Sequence, residues 1–260
     1  MRLLFVGDLV GKPGRRALER HLVDLIDRHR VDYVIVNLEN AAGGFGVTEP
    51  LYDALSDLPV DCFTSGNHIW DKKDVLPLLD ECPELLRPAN YPSGNPGSGL
   101  HVGATAAGIP VATINLEGRV FMKDLDSPFL VADRLLDELD PAVKVIFVDF
   151  HAETTSEKQA LGIYLDGRVS AVVGTHTHVP TADERILPGG TAFLTDVGMT
   201  GPYESVIGMR SDRVIERFLK ATPTPFEVAK RDVRLAGVVV DVDEESGRAT
   251  AIERLLIPAD

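Results

Sequence analysis

Three observations predict an α/β layered domain. Short, continuous apolar runs alternate with segments of helical period from the first residues onward. The 260 residues are 44% hydrophobic and 25% charged, enough apolar side chain to build one large core. Five of the apolar runs stop abruptly at carboxylate, amide or imidazole residues, as the strands of an open α/β sheet do where they meet a ligand.

Residues 3–6 form the first apolar run, followed by Gly11, Pro13 and Gly14, which mark a turn. Leu18, Leu22, Leu25 and Ile26 then repeat at the 3.6-residue period of a helix. A strand over 33–36, a short helix over 49–58 and a strand over 60–64 complete a βαβαβ unit, the signature of a parallel sheet buried on both faces. Residues 88–99 are rich in Pro, Gly, Asn and Ser and read as a loop, after which 109–116 resumes a strand pattern. Ser127-Pro128 predicts a helix start, with Ser127 as cap and proline at the first helical position. That helix runs through Leu130, Leu135, Leu136 and Leu139. Strands over 143–148, 169–173 and 191–194 follow, with a helix over 156–165 between the first two. Residues 234–242 and 249–257, around Glu244-Glu245-Ser246-Gly247, predict a β-hairpin. The second half therefore reads as more antiparallel than the first. No linker or internal repeat divides the chain, so 1–260 is expected to be a single domain.

Composition excludes several classes of function. No run of 18 apolar residues exists to span a membrane. The apolar start ends at Asp8, too early for the core of a signal peptide, and the chain is expected to be cytoplasmic. Cys62 and Cys82 are the only cysteines, one inside an apolar run and one before Pro83; they predict reduced thiols, not a disulfide framework or a zinc site. The net charge of −14 repels polyanions, so no extended nucleic-acid surface is expected. A small phosphate ester in a locally positive pocket remains compatible with that charge. The exposed loops and the C-terminal hairpin leave room for a homo-oligomer.

The strand ends carry the chemistry. The first run ends in Gly7-Asp8, the second in Asn37-Leu38-Glu39-Asn40, and the third in Ser65-Gly66-Asn67-His68. The run over 143–148 ends in Asp149-Phe150-His151, and that over 169–173 in Gly174-Thr175-His176-Thr177-His178. Four of the seven histidines lie at such ends; His21, His29 and His101 do not. Taken singly, each motif has a plain reading as a cap, a turn or a satisfied polar group. Together they predict a shared metal site with Asp8, Glu39, Asn67, His151, His176 and His178 as ligands. An O and N donor set without thiolate suits Fe or Mn, with Zn or Mg also compatible. Two cations need a bridging carboxylate, for which Glu39 has two oxygens and a central place. The charge remaining after two divalent ions meet Asp8, Glu39 and a bridging hydroxide would attract a phosphodiester, and the bridging water would be acidified into a nucleophile.

Gly7-Asp8, Gly66-Asn67-His68 and Gly174-Thr175-His176-Thr177-His178, in this order, resemble the calcineurin-like metallophosphoesterases. The fuller wording, Asn37 to Asn40, Gly66 to Asp71, Asp149 to Glu153 and Gly174 to Asp183, is similar to the YmdB-like branch of bacterial phosphodiesterases over nearly the whole chain. The resemblance implies two mixed β-sheets packed as a sandwich with flanking helices, and two metals at the sheet ends. It assigns Asp8, Glu39 and His178 to one metal, and Glu39, Asn67, His151 and His176 to the other. It makes His68 the general acid, and it implies hydrolysis of 2′,3′-cyclic nucleotides. Asn40, beside the bridge, would hold a phosphate oxygen or the nucleophile. Three departures stand out: Asp8-Leu9-Val10 replaces the wider superfamily's Asp-x-His, Glu39 replaces its bridging aspartate, and Ile69 stands where an acidic residue commonly follows Gly-Asn-His.

Around this site, residues 195–202 are candidates to line the pocket, Phe45 and Trp70 are candidates to stack on a base, and 153–159 reads as a solvated helix start. The alternatives are a metal-binding regulatory or sensor protein with low turnover, and a phosphomonoesterase on the same scaffold.

Overall fold

The computed structural model describes residues 1–259. Strand β1 (Arg2–Val6), helix α1 (Gly11–His29), β2 (Tyr33–Asn37), α2 (Glu49–Ser56) and β3 (Cys62–Thr64) follow in order, then a single 3-10 segment (Asn67–Asp71) and α3 (Val75–Glu81). The second half contains β4 (Leu100–Ala104), β5 (Pro110–Glu117), α4 (Pro128–Glu138), β6 (Val145–His151), α5 (Thr155–Tyr164), β7 (Ala171–Thr175), β8 (Arg185–Ile186) and β9 (Ala192–Leu194). The chain closes with β10 (Gly201–Pro202), α6 (Ser211–Lys220), β11 (Val233–Val242) and β12 (Ala249–Pro258).

The strands form two mixed sheets of six. In the first, β1, β2 and β3 are parallel, and β11 returns antiparallel to β1. One edge of β11 is covered by β12; the other is shared between β1 and the short β10. In the second sheet β5, β6, β7 and β9 are parallel, with β4 and β8 antiparallel at the edges. The antiparallel character expected of the second half is thus confined to edge strands and the terminal hairpin, while its centre is parallel.

Strand alternation explains the layers. Leu4 and Val6 of β1 face α1, where Leu18, Leu22 and Leu25 supply the helical stripe. Leu3 and Phe5 point the other way, toward Val145 and Phe147 of the second sheet, and the Phe5 and Phe147 rings meet at 5.0 Å. On the far side, Ile146 and Val148 pack against α4 and α5 through Val131, Ala132 and Leu161. The result is helix, sheet, sheet, helix. Burying both faces of both sheets is what requires the unbroken apolar runs, at about 25 cal/mol per Å² of apolar surface removed from water.

Local departures from the expected pattern have physical reasons. Gly11, Pro13 and Gly14 lie inside the first turn of α1 and do not precede it, because a proline in the first turn loses no intrahelical bond. Ser127 occupies the cap position of α4, yet its side chain makes no capping hydrogen bond.

Candidate functional site

Parallel strands of both sheets deliver their carboxyl ends to one edge of the sandwich. Asp8 follows β1, Asn37 ends β2, Ser65-Gly66-Asn67 follows β3, His151 ends β6, and Thr175 ends β7. There the predicted ligands meet. Glu39, His151 and His176 each offer a donor atom within 4.8 Å of the others. His151 Nε2 lies 3.1 Å from Glu39 Oε1, 3.1 Å from Asn67 Oδ1 and 3.0 Å from His176 Nδ1. Neighbouring donors around one ion with bonds of about 2.1 Å stand about 3 Å apart, so these four fit one coordination sphere.

The outer hydrogen bonds fix which nitrogen faces inward. His151 Nδ1 reaches Thr175 Oγ1 at 2.9 Å, and that hydroxyl donates to Asp149 Oδ1 at 2.7 Å, so His151 Nδ1 carries the proton. His176 Nε2 lies 3.1 Å from Glu153 Oε2, a carboxylate that favours the proton on that nitrogen. Each ring therefore turns a lone pair toward the other, and two lone pairs 3.0 Å apart need a cation or a proton between them.

A second pair of acceptors repeats the pattern. His178 Nδ1 donates to the Ile207 carbonyl at 2.9 Å, and Asn40 Nδ2 donates to the Gly44 carbonyl at 3.0 Å. His178 Nε2 and Asn40 Oδ1 are thereby left facing each other at 3.2 Å, again with no hydrogen between them. Asp8, wholly buried, accepts the His176 N–H through Oδ2 at 3.2 Å, while Oδ1 has no hydrogen-bond partner among the described residues and stands 3.9 Å from His151 Nδ1. A buried, unpaired carboxylate oxygen beside facing acceptors is the donor chemistry of a cation site. The residues present thus fit a bound cation at Glu39, His151 and His176, and Asp8, Asn40 and His178 add further acceptors without donors beside them.

The electrostatics agree. Burial pushes the Asp8 carboxyl well above its ordinary range, and Glu39, Asp196 and Asp149 push it further against the opposing charge of His151. Burial alone would raise Glu39, but His151 and the contacts to His68 bring it down to about 2. Burial alone would lower His151, but Glu39, Asp8 and Asp149 raise it to about 9, so without a cation it takes the proton. Burial and the neighbouring His151 hold His176 down at about 3, and burial also lowers His178.

The backbone contributes as well. His176 and His178 have φ of 96° and 64°, the left-handed region that non-glycine residues seldom occupy. Asp196 holds this strained turn: its Oδ2 accepts the Thr177 N–H at 3.2 Å and the Thr177 hydroxyl at 2.8 Å, and pairs with buried Lys158 at 2.6 Å. Residues 195–202, expected as pocket lining, work from behind the ligand turn. Gly66 has no room for a side chain, since a Cβ there would lie 2.2 Å from the His151 ring.

A cleft of about 880 Å³ opens onto Glu39, Asn40, His68, His176 and His178. His68 sits at its wall, with its N–H on Glu39 Oε2 at 3.1 Å and Nδ1 on Asp71 Oδ2 at 2.8 Å. The acidic partner absent at Ile69 is supplied by Asp71, one 3-10 turn on. Phe45 packs edge-on to His68 at 5.0 Å and faces Phe226 at 6.2 Å. The Arg217 guanidinium lies 4.7 Å over Phe226 and, among the described residues, is the only Lys or Arg lining this cleft. Trp70 is not part of the lining; it packs against Tyr91 at 5.1 Å. Glu153, expected in a solvated helix start, lines the cleft and holds His176. The wall formed by Ile207, Met209, Val214, Arg217 and Phe226 had no sequence signal, because α6 and its flanking loops carry no motif.

The comparisons with known proteins agree with this geometry. The chain is 51% identical over 260 residues to the 2′,3′-cyclic-nucleotide 2′-phosphodiesterase of Bacillus subtilis (strain 168), covering 100% of this chain and 98% of that protein. Its structure matches the crystal structure of a hypothetical protein from Thermus thermophilus with a TM-score of 0.93 and 45% identity, covering 100% of both chains. It also matches a novel phosphatase from Mycoplasma pneumoniae, with a TM-score of 0.93 and 37% identity over 100% of this chain and 94% of that one. The model of the YmdB-like protein family matches residues 4–255, and the chain belongs to that family.

Proposed function

We propose that the chain is a dinuclear metal-dependent phosphodiesterase that opens 2′,3′-cyclic nucleotides. The observation that carries this reading is the pair of facing acceptor sets, His151–His176 and His178–Asn40, which reach one open cleft together with Glu39 through His176, His178 and Asn40. The 51% identity to the Bacillus subtilis phosphodiesterase supports the substrate class. One ion would be held by Glu39, Asn67, His151 and His176, and the other by Asp8, Glu39, Asn40 and His178. Asn40 serves better as a donor than as a phosphate holder, because its amide hydrogens are turned away to Gly44 and its oxygen faces His178.

When bound, the two ions supply Lewis acidity: they neutralise phosphate oxygens and make the attacking water acidic. The chain's own residues do the rest. Water oxygen forms a bond to phosphorus while the bond from phosphorus to the ribose 2′ oxygen breaks, and His68 gives that oxygen a proton. With Nδ1–H held on Asp71, the proton that His68 transfers is the one on Nε2. Phe45 and Phe226 offer apolar faces for the base, and Arg217 adds a cation at the outer end of that wall.

The test is a reconstitution with Mn or Fe in which metal content and hydrolysis of cyclic nucleotides and phosphomonoesters are measured in one sample. Two ions per chain and preferential opening of the cyclic diester to a 3′-monophosphate are expected. Metal binding without turnover would make the chain a sensor. Preference for monoesters would replace the diesterase reading.

A further inference from the structure

A second cavity, of about 830 Å³, lies outside the catalytic cleft, beside the first turn of α1 and the segment leading into β11. Lys12, Arg16, Arg20 and Lys230 line it around a floor that includes Pro13 and Val228. Glu227, the one carboxylate among the described residues of its lining, is already engaged by Arg210 at 2.7 Å and Arg213 at 3.5 Å. Arg20 spends one N–H on the Ala259 carbonyl at 3.0 Å, and no carboxylate pairs with Lys12, Arg16 or Lys230 among the described residues. This concentration of unpaired cations stands on a chain of net charge −14. Lys12 is also placed against the helix dipole, in the first turn of α1, which has no acidic residue. An arrangement that raises the energy of the free protein in this way is relieved by an anion seated among the charges, with backbone partial charge adding to the attraction.

The cavity adjoins the catalytic cleft. Gly43 and Glu227 line the one, while their neighbours Gly44 and Phe226 line the other, so a thin ridge separates them. Gly44 packs so closely there that a Cβ would lie 2.5 Å from Met209.

We propose that this basic cavity is a binding site for multiply charged phosphate esters, distinct from the metal cluster. Its occupant is either a free nucleoside polyphosphate or the upstream phosphates of an oligoribonucleotide whose cyclic 3′ end occupies the cleft. Calorimetric titration of the full chain with tripolyphosphate at 50 mM salt tests the site directly. Binding is expected to weaken at least tenfold in an Arg16→Glu/Lys230→Glu chain and in the milder Arg16→Gln/Lys230→Gln chain. It is also expected to weaken with added salt and to persist in a His176→Ala chain, which is altered only at the cleft. Binding that vanishes with His176→Ala and survives both charge changes would overturn the proposal, as would no binding at 50 mM salt. The source of the phosphate is read from kinetics. A raised KM in the charge-changed chains for a cyclic-ended trinucleotide, with the cyclic mononucleotide unaffected, assigns the cavity to longer substrates. Lost tripolyphosphate binding with both KM values unchanged assigns it to a free phosphate ester. Because the titration needs no turnover, failure of the phosphodiesterase reading and failure of this site are told apart.

Discussion

His68 and His176 line the same cleft, yet they should fail in different ways when truncated. His68 touches the candidate ligand group through its backbone N–H on Glu39, and its ring is tied to Asp71. His68→Ala should therefore keep its metal content and lose about 10²- to 10⁴-fold in kcat, the usual contribution of a positioned acid. Asp71→Asn should show a smaller loss of the same kind. His176→Ala removes a donor from the set around His151 and should lower metal content together with activity. Metal analysis and steady-state kinetics on the same preparations check this; metal loss in the His68 variant would show that the residue is structural. At this scale the sequence was informative wherever a candidate ligand lies at a strand end. Asp8, Glu39, Asn67, His151, His176 and His178 all do, and the fold brings all six to one edge. Glu153, Asp149 and Thr175 acquire their roles only through distances between segments far apart in the chain, which no local pattern carries, whereas Asp71 lies three residues from His68 and meets it through the 3-10 turn. The facing of Asn40 and His178 is of the same kind, since 138 residues separate them.

At the scale of elements, two positions hold the ligand strands in place without touching substrate. Gly66 lies against the His151 imidazole, and the Cβ of an alanine would come within 2.2–2.4 Å of three ring atoms. Gly66→Ala should push His151 out of line and cost metal affinity by an order of magnitude or more, read by metal titration, while the global fold persists. Ordinary affinity in that variant would show that the turn after β3 can yield. Lys158 of α5 is fully buried against Asp196, which holds the turn carrying Thr177. Lys158→Ala leaves that carboxylate buried and unpaired, a loss on the order of 3–5 kcal/mol, measurable by denaturant unfolding. A loss below about 1 kcal/mol would mean that water replaces the ammonium. Periodicity revealed the long or fully apolar elements, such as β1, β6 and α1. It missed α3, a seven-residue helix with Pro77 inside it, and β4, where exposed residues interrupt the pattern. It also missed α6, whose only buried residue is Val214 and whose Phe218 and Leu219 are each 82% exposed. These elements owe their form to neighbours more than to their own composition.

For the whole molecule, the buried cluster links stability, pH and metal. His151, raised to about 9 from 6.5, contributes stability that is fully present below pH 6.5 and is lost as pH rises through 9. Asp8 acts in the same direction, because a buried carboxyl with a raised pKa favours its protonated form and opposes folding once the pH exceeds its range. His176, lowered to about 3, has the opposite sign: its contribution is intact above pH 6.5 and is lost as pH falls toward 3. Glu39, lowered from 4.5 to about 2, adds to the loss on the acid side. The metal-free chain should therefore be most stable near pH 6.5 and weaken toward pH 9. Divalent ions held by His151, His176 and Asp8 would take the place of the proton and offset the buried carboxylate, and so would remove most of the alkaline loss. At a thousandfold excess over Kd an ion adds about 4 kcal/mol, and a chain of this size gains roughly 2–4 °C in Tm per kcal/mol. Thermal unfolding of chelated and Mn-loaded protein at pH 6.5 and 8.5 should show the metal-induced rise in Tm growing with pH. Equal rises at both pH values would mean that protons do not compete with metal at His151. A smaller rise at pH 8.5 would mean that the facing lone pairs are bridged in some other way.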